Sequence, residues 1–95
     1  AVEVFIIPLG TQVYSMKLTT ELRKKGIATD IEMDNKKLKK SLDYANKLGI
    51  PYVVILGEDE IKAGVVRVKD MIERNEFECE LTRLGEELER KISGV

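Results

Sequence analysis

Two short segments restrict this chain more than any others. Val2–Pro8 (VEVFIIP) is nearly all apolar, and Tyr52–Leu56 (YVVIL) is apolar throughout. A strand with one wet face alternates in polarity, whereas one that is apolar along its length must be covered on both faces. Two such strands place the chain among sheets sandwiched between helices. A helix, a strand and a second helix are spaced between them, which gives right-handed parallel crossovers.

The intervening elements follow from periodicity. Gly10 and Thr11 open a turn, with Thr11 as the expected N-cap, and Tyr14, Leu18 and Leu22 recur every four residues until Gly26 ends the helix. Ile27 to Met33 alternates, so a half-exposed edge strand is predicted with Asp30 and Glu32 on its wet face. Asp34 and Asn35 are expected to cap a second helix with Leu38, Leu42, Ala45 and Leu48 inside. Gly49 and Pro51 stop it. Val66 and Val68 oppose Arg67 and Lys69 in a fourth strand. Phe77, Cys79 and Leu81 alternate with glutamates in a fifth, a charge-guarded edge. A third helix is predicted from about Thr82 to Ser93. The expected architecture is α/β, a three-layer α/β/α arrangement with a mixed five-stranded sheet in order 2-1-3-4-5 and three helices. Its crevice lies where the first and third strands part.

At 95 residues the chain is expected to be one domain, 1–95, and its start at Ala1 suits either a removed Met or a piece of a longer protein. The single cysteine, Cys79, reads as a small core hydrophobe and cannot form an internal disulfide, which fits a reducing cytoplasm. No apolar run approaches membrane-spanning length, so no membrane partner is expected. With no histidine, the commonest agent of acid–base chemistry and of zinc binding is missing, and no motif assigns a catalytic or metal-binding residue. Pro8-Leu9-Gly10-Thr11 lacks the glycine pattern of a phosphate loop. Glu58-Asp59-Glu60 reads as a solvated hairpin turn, its spacing unlike an EF-hand.

Charge is unevenly divided. Residues up to Gly57 carry nine basic and six acidic side chains; those after it carry seven and eleven. The basic half contains Lys36, Lys37, Lys39 and Lys40 in the opening turns of the second helix, where the macrodipole disfavours cations by about 0.3–1 kcal/mol each. Either this is a solvated helix face or an anion compensates it, and a phosphate chain is the obvious one. Beyond the next strand, Glu60 offers a carboxylate that suits the Watson–Crick edge of an unpaired guanine. Lys69 offers a donor to a base or phosphate, and Asn35 is either a turn residue or a base reader.

Four segments carry a resemblance: VFIIPLG at Val4–Gly10, LRKKGI at Leu22–Ile27, KLKKSLDYANKLGIPYVVILGEDE at Lys37–Glu60, and VKDM at Val68–Met71. Together they resemble the anticodon-binding domain of class II aminoacyl-tRNA synthetases, and within it the C-terminal domain of the histidyl branch, over nearly the whole chain. The resemblance implies a cytoplasmic, usually homodimeric parent ligase whose ATP and Mg sit in another domain, with no cofactor here and a histidine-accepting tRNA as partner. By similarity to the threonyl branch, Glu60, Lys69 and Asn35 stand where anticodon bases are read, and Lys36, Lys37, Lys39 and Lys40 would meet the backbone. Two departures stand out: Lys69 replaces an Arg, and Ile72-Glu73-Arg74-Asn75 replaces a turn that usually contains glycine. The remaining alternatives are the equivalent threonyl, prolyl or glycyl domain, a stand-alone interaction module, and a flavodoxin-like ligand-binding domain.

Overall fold

Val4, Phe5, Ile6 and Ile7 are all buried, as a strand apolar on both faces requires. In the computed structural model, which describes residues 1–94, these residues form β1 (Val4–Pro8) in the middle of the sheet. The other strands are β2 (Thr29–Ile31), β3 (Tyr52–Leu56), β4 (Val65–Asp70) and β5 (Asn75–Glu80). Their order is β2-β1-β3-β4-β5, as expected from the sequence. β1 runs parallel to both β2 and β3, and β4 and β5 follow antiparallel.

Helices cover the two faces unequally. α1 (Gln12–Lys24) and α4 (Leu84–Ser93) supply Leu18, Leu22, Leu84 and Leu88 to the larger core, together with Val4, Ile6, Val54, Val66 and Val68. α2 (Leu38–Lys47) supplies Ala45 to the smaller core with Phe5, Ile7, Ile50 and Val53. That smaller core reaches only β1 and β3. On the α2 side, the outward residues of β4 and β5 therefore stay uncovered, and this opening forms the site described below.

Several elements depart from the sequence expectation. The acidic segment is not a hairpin turn: α3 (Glu58–Ala63) is a short helix, so the described residues hold four α-helices, plus a 3-10 turn at Leu81–Arg83. Three carboxylates in the first turn suit the positive end of a helix dipole, which explains why an acidic run folds this way. β2 is shorter than predicted, and Met33 is mostly exposed rather than on a buried face. Thr11 precedes α1, but its hydroxyl does not cap it. It donates to the Leu56 carbonyl at 2.7 Å. With its one proton so used, it accepts from the Ser15 hydroxyl at 3.1 Å. The buried pair ties α1 to the end of β3, where the strands diverge.

The turn between β4 and β5 explains how the chain manages without the expected glycine. The Asp70 carboxylate accepts the backbone N–H groups of Ile72 and Glu73 at 3.1 and 2.9 Å. Arg74 then adopts a left-handed conformation, φ 57°. A Cβ in that region costs about 1–2 kcal/mol. Arg74→Gly should therefore stabilise the fold by about 1 kcal/mol, a rise of roughly 4–8 °C in melting temperature for a domain of this size. A thermal melt that is unchanged or lower would show that the strain is absent.

Candidate functional site

The lysine segment begins outside the helix. α2 starts at Leu38, with Lys37 in the cap position in an extended conformation and no side chain capping the end. Asp34 and Asn35, expected as caps, instead lie in the preceding loop. Only Lys39 and Lys40 fall in the first helical turn, and all four lysines are exposed.

One carboxylate of the chain itself lies beside the lysine segment. Glu32 was expected on a wet strand face, yet its side chain is only 8% exposed. Its Oε1 accepts the Ser41 hydroxyl at 2.9 Å, and its Oε2 accepts the Asp34 N–H at 3.2 Å. Lys36 Nζ lies 3.7 Å from Oε1 and 5.3 Å from the centre of the Tyr44 ring. Glu32 thus sets one negative charge beside Ser41 in the first turn of α2 and pairs with Lys36 just before it. Of the lysines, Lys36 is held by this carboxylate and the aromatic face, while no ion pair among the described residues involves Lys37, Lys39 or Lys40.

The uncovered part of the sheet is a groove of about 530 Å³. Leu9 and Ile55, with Ala63, Val65 and Val66, supply its apolar surface, and Asp59, Glu60, Arg67, Lys69, Glu76 and Glu78 supply its charges. The structure thus brings Glu60 and Lys69 into one cavity. Glu60 turns back on its own helix: its Oε1 accepts the Gly57 N–H at 2.7 Å. Gly57 leaves the space for this, since a Cβ there would stand 2.8 Å from that oxygen. Among the described residues Oε2 takes no hydrogen bond, so the carboxylate is fixed at one end and open at the other.

Asn35 is placed apart from this groove. It follows β2 and Glu60 follows β3, with β1 between, so the two lie beyond the carboxyl ends of strands that are not neighbours. One of the three Lys69 donors is engaged, with Nζ 3.1 Å from Glu76 Oε2. The same Glu76 holds Arg67 through Oε1 at 3.5 Å, and Glu78 reaches the second guanidinium nitrogen at 3.9 Å. Sequence reasoning singled out Lys69 and passed over Arg67, although the two share a face two residues apart. Their cross-strand partners, Glu78 opposite Arg67 and Glu76 opposite Lys69, depend on the hairpin register.

Other chemistry finds little support. Burial, followed by the charges of Glu87 and Glu80, pushes the Cys79 thiol up, so it stays protonated at neutral pH. Glu58, Asp59 and Glu60 radiate around a helical turn. Among the described residues no group of three His, Cys, Asp or Glu side chains is placed to hold a metal. None of the described helices is long and apolar enough to cross a membrane.

Comparison with known proteins agrees with this architecture. Residues 3–91 match the family described as anticodon binding domain. A histidine–tRNA ligase of Pyrococcus furiosus is 44% identical over 73 residues, 75% of this chain and 17% of the relative. That of Thermococcus kodakarensis is 38% identical over 90 residues, 90% of this chain and 21% of the relative. Among solved structures, histidyl-tRNA synthetase from S. aureus superposes with a TM-score of 0.86 at 29% identity, covering 92% of this chain and 23% of that one. The chain thus spans about a fifth of the length of these relatives. With the match running through every strand and helix of the mixed sheet, this chain belongs to the anticodon-binding domain family.

Proposed function

We propose that this chain is the anticodon-binding domain of a histidyl-tRNA synthetase and that it grips the anticodon loop of the histidine tRNA. The identity with histidine–tRNA ligases carries the reading. In it the chain is one domain, the C-terminal part of a homodimeric cytoplasmic ligase. The catalytic residues, ATP and Mg that join histidine to the tRNA belong to another part of that enzyme. Glu60 and Lys69 read an unstacked base in the groove, Asn35 meets a neighbouring one, and Lys36, Lys37, Lys39 and Lys40 face phosphates. No cofactor is required for this positioning role.

The test is a titration of labelled histidine tRNA against an anticodon-swapped version at two salt concentrations. Tighter binding of the first supports the reading; equal binding of both removes anticodon recognition. Lys37→Ala combined with Lys40→Ala should weaken both RNAs alike and reduce the slope of log affinity against log salt by about 1 or 2. An unchanged slope would mean that these lysines do not meet phosphate. One observation favours a second reading, an interaction module that kept the fold and lost RNA reading: both cations of the groove are already paired with carboxylates. The same titration decides, since such a module would bind neither RNA.

A further inference from the structure

The groove is acidic where an RNA surface is expected to be basic. Its charged lining consists of two cations, Arg67 and Lys69, and four carboxylates, Asp59, Glu60, Glu76 and Glu78. Each of these exposed pairs taken singly contributes only about 0–1 kcal/mol to folding. They do fix the orientation of the β4 cations: Glu76 joins Arg67 and Lys69 through its two oxygens, and Glu78 meets the far side of the guanidinium. An approaching phosphate meets cations already taken and carboxylates that repel it. Each such carboxylate within about 4 Å weakens a phosphate contact by up to about fivefold in a water-like medium.

A base edge behaves differently, because it is neutral and carries its own donors. The Watson–Crick edge of an unpaired guanine offers two donors to a carboxylate and one acceptor to a cation. It can join the ladder without separating every pair in it. We propose that Glu76 and Glu78 are specificity-determining residues: they bar the RNA backbone from the β4 cations and favour a base whose edge sets two adjacent donors beside an acceptor, as guanine does. Arg67 belongs to the same device, as the cation that a backbone phosphate would otherwise occupy. Phosphate contact is thereby confined to the lysines beside α2. This inference rests on the RNA-binding reading above and deepens it.

The experiment compares the unaltered chain with a Glu76→Gln, Glu78→Gln double variant. Gln keeps the size and an acceptor oxygen but removes the charge, and a thermal melt within a few degrees of the parent verifies folding. Three RNAs are titrated: the histidine anticodon stem-loop, the same stem-loop with altered anticodon bases, and poly(U), at two salt concentrations. Binding of poly(U) and the altered loop should rise about tenfold in the variant and the cognate loop much less, so discrimination collapses. The salt slope for poly(U) should steepen by about 1 to 2. If the unaltered chain discriminates and the variant keeps the same ratio and slope, the filter is overturned while the RNA-binding reading stands. If neither protein binds any of the three RNAs, both fail.

Discussion

Leu88→Ala should destabilise the domain by about 3 kcal/mol, within the range for deleting a fully buried leucine side chain. Leu88 is 0% exposed and shares one core with Leu84, Val66 and Val68. A domain of this size has a total stability of only about 5–15 kcal/mol, so the variant should lose roughly 12–24 °C in melting temperature. Leu48→Ala is the control, because Leu48 is 57% exposed on the far side of the sheet. It should change stability by less than about 0.5 kcal/mol. Urea midpoints for both variants check the pair. A Leu88→Ala loss below about 1 kcal/mol would mean that α4 does not close the larger core. The effect has a functional side, because Val66 and Val68 alternate along β4 with Arg67 and Lys69. Loosening the core beneath them loosens the groove above.

Glu60→Ala should have the largest effect on recognition, and its interpretation depends on the structure. The side chain has two roles, holding the first turn of α3 through Gly57 and presenting its second oxygen to the groove. Ala removes both. Gln separates them, since its carbonyl still accepts the Gly57 N–H while an NH₂ replaces the open acceptor. A hydrogen bond from a base edge to a charged carboxylate oxygen is worth about 1.5–3 kcal/mol. Glu60→Ala and Glu60→Gln should therefore both weaken the cognate loop about 10- to 100-fold and the altered loop far less. Only the Ala variant should also melt earlier. Equal weakening of both loops by the Gln variant would leave Glu60 as a helix-holding residue and no reader.

The central architecture was legible because it depends on coarse properties. The apolar runs at β1 and β3 permit only strands covered on both faces, and the alternating segments then fall outside them. Detail was lost where a side chain works against its usual reputation. Glu58-Asp59-Glu60 looks like a loop, yet Gly57 before it and Gly64 in a left-handed conformation after it bracket a helix that welcomes acids at its start. Those two glycines were the signal that could have found α3. Glu32 looks exposed by alternation, but the chain leaves β2 after Ile31 and folds the carboxylate under α2. The lysine cluster pointed to an external phosphate and could not reveal Glu32, four residues upstream of Lys36. In the groove, Lys69 and Glu60 were singled out by their chemistry and by resemblance. The pairing of Arg67 and Lys69 with the glutamates of β5 needed the register of a four-residue hairpin loop, which composition does not encode.

The two cores are separate in space but not in mechanics. β1 and β3 each have hydrogen-bonded neighbours on both edges, and each sends alternate side chains into the larger and the smaller core. Peeling away α2 would strip one face of the same two strands that α1 and α4 cover from behind. The smaller core has no strand of its own, and losing it exposes the two central strands of the larger one. The domain should therefore melt in a single step, without a half-open state that spares one face. A ligand seated only against the α2 side would then slow amide exchange in α4 as well, on the side it never touches.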